Sequence, residues 1–146
     1  MSKQLTFEDV KEGMEVPTIV KETSIRMSGE WAGASGDYDP IHYDNEYAKL
    51  RRFPKAIVNG RLKAAWLMQL MTSWIGDDGF LKKLECKHRG MDIIGEPVKV
   101  RGVVVKKYVQ DGECLVECDI WTENPEGEKT TPGKATVALP SRVQSE

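Results

Sequence analysis

The sequence predicts an α+β domain in which a curling antiparallel sheet wraps one long central helix. Three observations carry that prediction. The stretch from Arg61 to Ile75 is apolar around most of its circumference. From about residue 98 onward, short alternating segments are separated by turn signals, the pattern of antiparallel strands. The 146 residues contain no repeat, low-complexity tract or Gly/Ser/Pro-rich linker, so residues 1–146 read as a single domain.

Taken in order, the helix comes first. Leu62, Ala65, Trp66, Leu67, Met68, Leu70, Met71, Trp74 and Ile75 leave it little polar surface, and such a helix must be largely enclosed. It is short for a bilayer span, and Lys63 and Gln69 interrupt it, so the enclosing material is protein. Its methionines read as core packing rather than a cofactor box. Asn59 suits an N-cap and Gly60 the first turn. A strand is expected around Lys83 to Met91. A three-strand meander follows. Val98 to Val105 leads to a turn at Asp111-Gly112, Cys114 to Trp121 leads to one at Asn124-Pro125-Glu126-Gly127, and Ala135 to Leu139 closes at Pro140. Residues 143–146 read as a frayed tail.

Composition narrows the function. Against 23 acidic side chains stand 21 basic ones, giving a formal charge of -2. A nucleic-acid backbone is therefore not the expected partner, since that binding usually leaves a cationic excess. The first ten residues carry Glu8 and Asp9 where a signal peptide needs an apolar core, and no segment approaches a membrane span, so a soluble cytoplasmic protein is expected. Cys86, Cys114 and Cys118 are odd in number and read as reduced. Cys114 and Cys118 sit four apart on an alternating segment and face one side, which favours packing over zinc.

Chemistry concentrates in Ser35-Gly36-Asp37-Tyr38-Asp39-Pro40-Ile41-His42-Tyr43-Asp44. A calcium loop starting at Asp37 fails, because Ile41, His42 and Ala48 fall at its fifth, sixth and twelfth places. Gly33-Ala34-Ser35-Gly36-Asp37 does not match a serine-hydrolase elbow. With only His42 and His88 in the chain, no compact metal motif forms and no metal is expected. What survives is an acid–base pair. Asp37 and His42 lie five apart across a turn stiffened by Pro40, and they can converge on one water, the carboxylate taking a proton while the imidazole donates or accepts. The same residues also fit a purely local arrangement in which Asp37 closes an Asx-turn and His42 packs against the core. At Asn59-Gly60 the free amides of a helix start suit a carbonyl oxygen that gains negative charge, and glycine admits a ligand close to the backbone. A capping turn alone also explains that dipeptide.

The run from Trp31 to Lys49, with Asp37-Tyr38-Asp39-Pro40-Ile41-His42 at its centre, resembles the hydratase motif Asp-x-Asn-Pro-x-His of MaoC-like enzymes, the (R)-specific enoyl-CoA hydratases. Ile57-Val58-Asn59-Gly60-Arg61 is similar to the family's downstream apolar pair and His-Gly-Met. The resemblance covers about residues 5–140 and implies the hotdog fold, in which a five- or six-stranded sheet wraps one helix. It implies Asp37 and His42 as a catalytic dyad that activates the water added to a trans-2-enoyl thioester, or removes it from a 3-hydroxyacyl thioester. The Gly60 amide would stabilise the thioester oxygen. No cofactor is implied beyond the coenzyme A or carrier pantetheine of the substrate. A homodimer is implied, or a hetero-oligomer with another hotdog subunit. Non-catalytic acyl-thioester binding and thioesterase activity are the alternatives on this fold.

Two departures stand out. Asp39 replaces the usual Asn that helps position the dyad, and this additional carboxylate is expected either to raise the pKa of Asp37 or to point to solvent. Asn59 and Arg61 replace His and Met around Gly60, with Asn59 a second candidate for positioning the dyad. Trp66 and Trp74 are bulky for a long acyl tunnel and read as core. The basic residues Arg51, Arg52 and Lys55, and Lys82, Lys83, Lys87 and Arg89, read as solvated faces, and His88 as a surface or strand residue.

Overall fold

The computed structural model describes residues 3–143, so the residues 144–146 of the expected tail lie outside it. Strand β1 (Glu15–Lys21) leads into helix α1 (Ile25–Ser35), a 3-10 turn (Pro40–His42) and the short helix α2 (Asn45–Leu50). The long helix α3 (Gly60–Ile75) follows, then β2 (Phe80–Cys86), β3 (Val98–Gln110), β4 (Glu113–Glu123) and β5 (Lys129–Ala138). The strands form one antiparallel sheet in the order β1-β3-β4-β5-β2. α3 starts at Gly60 behind the cap Asn59, as read from the sequence.

The meander forms for the expected reasons. Asp111 and Gly112 both take positive φ, 51° and 77°, the two-residue turn whose twist matches that of the strands it joins. Between β4 and β5, Asn124 Oδ1 accepts from the Glu128 amide at 2.9 Å and closes the second turn. Val116, Cys118, Ile120 and Thr122 of β4 are buried, while Glu117, Asp119, Trp121 and Glu123 between them remain accessible, so one face of the sheet meets the helix. Irregularities at Val16/Ile19, Leu81/Lys83 and Val104/Lys106 bend the strands around it. Leu67, Leu70, Met71 and Ile75 of α3 pack with Val98, Val100, Val104 and Val137 in one core.

Three features differ from the sequence reading. The strand expected around Lys83 to Met91 runs over Phe80–Cys86, and residues 87–90 continue beside β5 outside the regular ladder, through bonds to Pro132 O and Thr130 O. α3 is covered on one side only, with Arg61, Met68, Gln69, Thr72 and Ser73 forming an accessible stripe and Met68 45% exposed. Lys63, read as an interruption of the apolar run, is 2% exposed in the core and donates to Asp92 Oδ2 at 3.0 Å. Its place is consistent with helical spacing, since Lys63, Leu67 and Leu70 share one face.

Candidate active site

Helix α1 delivers Asp37. Its first turn is capped by Ser24, whose hydroxyl accepts from the Met27 amide at 3.1 Å. Its last turn ends on Gly36 at φ 76°, where a left-handed residue donates to Ala32 O and turns the chain sharply outward. Asp37 Oδ1 then accepts from the Asp39 amide at 3.2 Å, so the Asx-turn does form. It uses one oxygen. The other, Oδ2, accepts from Asn59 Nδ2 at 2.8 Å across 22 residues of sequence. These bonds, led by the one from Asn59 and joined by the charges of His42 and Arg61, hold the Asp37 carboxyl below its ordinary value despite an opposing cost of burial.

Asp39 behaves differently from either expectation. Its carboxylate neither raises the pKa of Asp37 nor points idly to solvent. Oδ1 caps the 3-10 turn by accepting from the Ile41 amide at 3.1 Å, with Pro40 at the first position, while the Asp39 amide supports Asp37. That turn presents His42, whose Nδ1 lies 2.8 Å from Ile57 O. A carbonyl can only accept, so Nδ1 carries the proton in the neutral ring and the lone pair sits on Nε2.

Both side chains are thus tied to one short segment, His42 through Ile57 and Asp37 through Asn59. The segment itself is fixed. Ile57 donates to Ile41 O at 3.0 Å, Val58 to Asp92 O at 2.8 Å, and Ile57 bridges to Ile93. Asn59 is 5% exposed, and its Oδ1 accepts from the Arg61 amide at 2.8 Å as the cap of α3. Among the described residues the Gly60 amide makes no hydrogen bond, and it stands at the positive end of a 16-residue helix.

The structure therefore gathers Asp37, His42, Asn59 and Gly60, and assigns Asp39 to the supporting turn. It adds His88, which the sequence reading left outside the site, with the face of its ring against Gly60. No local pattern marks that residue, because the contact joins positions 28 apart. Arg51, Arg52 and Lys55 are exposed beyond α2, and Lys82 pairs with Glu113. Lys87 and Arg89 line a groove of about 690 Å³ with Trp121, Lys129 and Lys134, which contains none of the dyad residues. Among the described residues no group of three or more His, Cys, Asp or Glu is placed to hold a metal ion. Among them, too, no helix is long and apolar enough to cross a membrane.

The family model described as "MaoC like domain" matches residues 8–123. The chain belongs to that family. Beyond this match, the MaoC-like chain is 28% identical over 145 residues to an (R)-specific enoyl-CoA hydratase from Rhodospirillum rubrum, covering 93% of this chain and 92% of the relative. It superposes on an R-hydratase from Pseudomonas aeruginosa with a TM-score of 0.84 at 20% identity, covering 98% of this chain and 92% of that one. A structure of the ChsH1-ChsH2 complex from Mycobacterium tuberculosis gives 0.77 at 18% identity, with 88% and 98% covered. The sheet wrapped on one helix is the hotdog fold of these MaoC-like proteins.

Proposed function

We propose that this MaoC-like protein is a hydro-lyase that reversibly hydrates trans-2-enoyl-CoA, or the equivalent carrier-protein thioester, at the Asp37/His42 site. One observation carries the reading. The Asn59 amide joins the Asp37 carboxylate to the start of α3, so the ionised acid and the free Gly60 amide share one rigid mount. The relationship to an (R)-specific enoyl-CoA hydratase supports the substrate class.

In the hydration direction the Gly60 N–H donates to the thioester oxygen. Water held between Asp37 and His42 Nε2 attacks C3, and the π electrons of the C2–C3 bond move toward C1 and its oxygen. The enolate charge that develops there meets the amide and the helix terminus. Asp37, with both oxygens already accepting hydrogen bonds, is a weak base suited to orienting the water and to facing an imidazolium. His42 takes the proton at Nε2 and returns it to C2 as the enolate collapses. Oxygen and hydrogen have then been added across the double bond and the enzyme is restored. The step as written transfers no electrons to a cofactor, and coenzyme A or pantetheine arrives with the substrate.

Residues 1–146 act as one MaoC-like unit in this reading. The accessible stripe on α3 and the free edge of β2 suit assembly with a second hotdog subunit, of the same or another chain. A panel of enoyl-CoA thioesters of increasing length tests the function. Hydration removes the conjugated thioester absorbance and leaves a 3-hydroxyacyl product with no free thiol. Thiol release would instead identify a thioesterase, and binding of acyl-CoA without turnover a non-catalytic subunit.

A further inference from the structure

The short segment that carries both tethers of the dyad is itself carried by one loop. Residues 56–58 lie antiparallel to residues 92–94, with Val58 donating to Asp92 O at 2.8 Å, Ile94 donating to Ala56 O at 2.9 Å and a bridge between Ile57 and Ile93. Ile57 and Asn59, which hold His42 and Asp37, flank Val58 on either side. Further along the loop, the Gly95 amide donates to Thr23 Oγ1 at 2.9 Å, and that hydroxyl donates to Glu96 O at 2.7 Å. Thr23 is next to Ser24, the cap of the helix that delivers Asp37. One loop thus meets both routes to the acid.

The loop is moored through one side chain. Asp92 is 2% exposed, and its Oδ2 accepts from Lys63 Nζ of α3 at 3.0 Å and from Thr130 Oγ1 of β5 at 2.6 Å. Lys63 also donates to Gly90 O at 3.1 Å, and it lies one turn into the helix that starts at Gly60. A buried ion pair is a weak source of stability, because taking two charges out of water can cost as much as their attraction returns, and its best-attested use is to fix one register. Asp92 Oδ1, buried with no partner among the described residues, adds to that cost. We propose that Asp92, held by Lys63 and Thr130, is a positioning residue for the hydration, setting residues 57–59, and with them the Nδ1–H form of His42 and the Asp37 carboxylate, against the start of α3. The reaction it serves rests on the hydratase reading above, whereas the posture of His42 belongs to the chain without substrate.

The test uses the intact chain and an all-apolar replacement, Lys63→Met with Asp92→Leu, which strands no charge and leaves Thr130 Oγ1 its partner Thr122 Oγ1 at 2.8 Å. Its melting temperature is expected to stay close to that of the parent. On the enoyl-CoA that the parent hydrates fastest, its kcat is expected to fall about 30-fold with KM changed less than about threefold. Asp92→Asn in place of Asp92→Leu keeps an acceptor for Thr130 and is expected to bring kcat back to within about fivefold of the parent. The chain has two histidines, so His42→Ala identifies the His42 ring-nitrogen NMR shifts. In the parent these should report a proton fixed on Nδ1, and in the apolar double variant they should move toward an average of two tautomers. Parental kcat or unchanged His42 shifts in the folded double variant overturn the proposal. If that variant does not fold, Thr130→Val decides, since it removes one donor to Asp92 and keeps the ion pair. A kcat about fivefold lower, recovered by Thr130→Ser, then supports the proposal and a parental kcat overturns it. A parent that hydrates no enoyl-CoA defeats the hydratase reading itself. The His42 shifts then decide the positioning role alone, displaced shifts supporting it and unchanged shifts removing it.

Discussion

At position 59 one primary amide serves two partners, its oxygen the cap of α3 and its nitrogen the Asp37 carboxylate. Asn59→Ala removes both and is expected to cost about 1 kcal/mol for the cap, with a loss of turnover besides. Asn59→Asp keeps the capping acceptor but sets a second carboxylate against Asp37, so it should hold its melting temperature better while losing as much activity. Comparing thermal melts with kcat for the two variants checks this. Asp37 also sets a pH window. Its folded pKa lies below the ordinary Asp value, so the stability it contributes is fully present above that value and is lost as pH falls through the lower folded one. Removing Asn59, the largest cause of the shift, should move the Asp37 titration upward, as followed by NMR of its carboxyl carbon. The Asp-x-Asp-Pro-x-His spacing marked Asp37 and His42 as a candidate pair before any coordinates. The cap that Asp39 supplies and the contact of His88 with Gly60 were not legible, because charge is read from a residue's identity whereas the amide or glycine it meets is set by backbone geometry.

Helix α3 rests on a buried ion pair. Lys63 and Asp92 are each 2% exposed, and Asp92 Oδ1 is buried with no hydrogen-bond partner among the described residues. Removing one partner strands the other charge, so Lys63→Met should cost roughly 3–5 kcal/mol. Adding Asp92→Asn should return much of that loss, because no buried charge remains and the amide can still accept from Thr130. Urea unfolding of the two singles and the double measures the coupling, and strictly additive losses would contradict it. On β4, burial pushes the Cys118 thiol up to about 12, so iodoacetamide at mildly alkaline pH should leave it unmodified in the folded chain and label it once unfolded. α3 and the meander were legible because their periods of 3.6 and 2 run unbroken between turn residues. β1 was not, since it is an edge strand with Pro17, a bulge and mostly exposed side chains. α1 carries Gly29, Gly33 and two serines, and α2 is only six residues long, so neither shows a clear apolar stripe.

Across the whole molecule, one sheet covers one side of α3 and leaves the Arg61–Met68–Thr72 stripe accessible, with β1 and β2 as the edges of the sheet. The near-continuous apolar sequence of α3 foretold an enclosed helix, and a second subunit is what completes that enclosure in the proposed assembly. Light scattering of the purified chain, alone or with a co-expressed hotdog partner, is expected to give a particle at least twice the 16.4 kDa of one chain. A fully active particle of one chain would remove assembly from the account. The central claim is that Asp37 and His42 act on a single water. Its most direct test is the steady-state loss of enoyl-thioester absorbance by the parent, Asp37→Asn, His42→Ala and the double variant. The parent should turn over, each single variant should be slower by about 10²-fold or more, and the double should be little worse than the slower single. Hydration that survives both substitutions would contradict the claim.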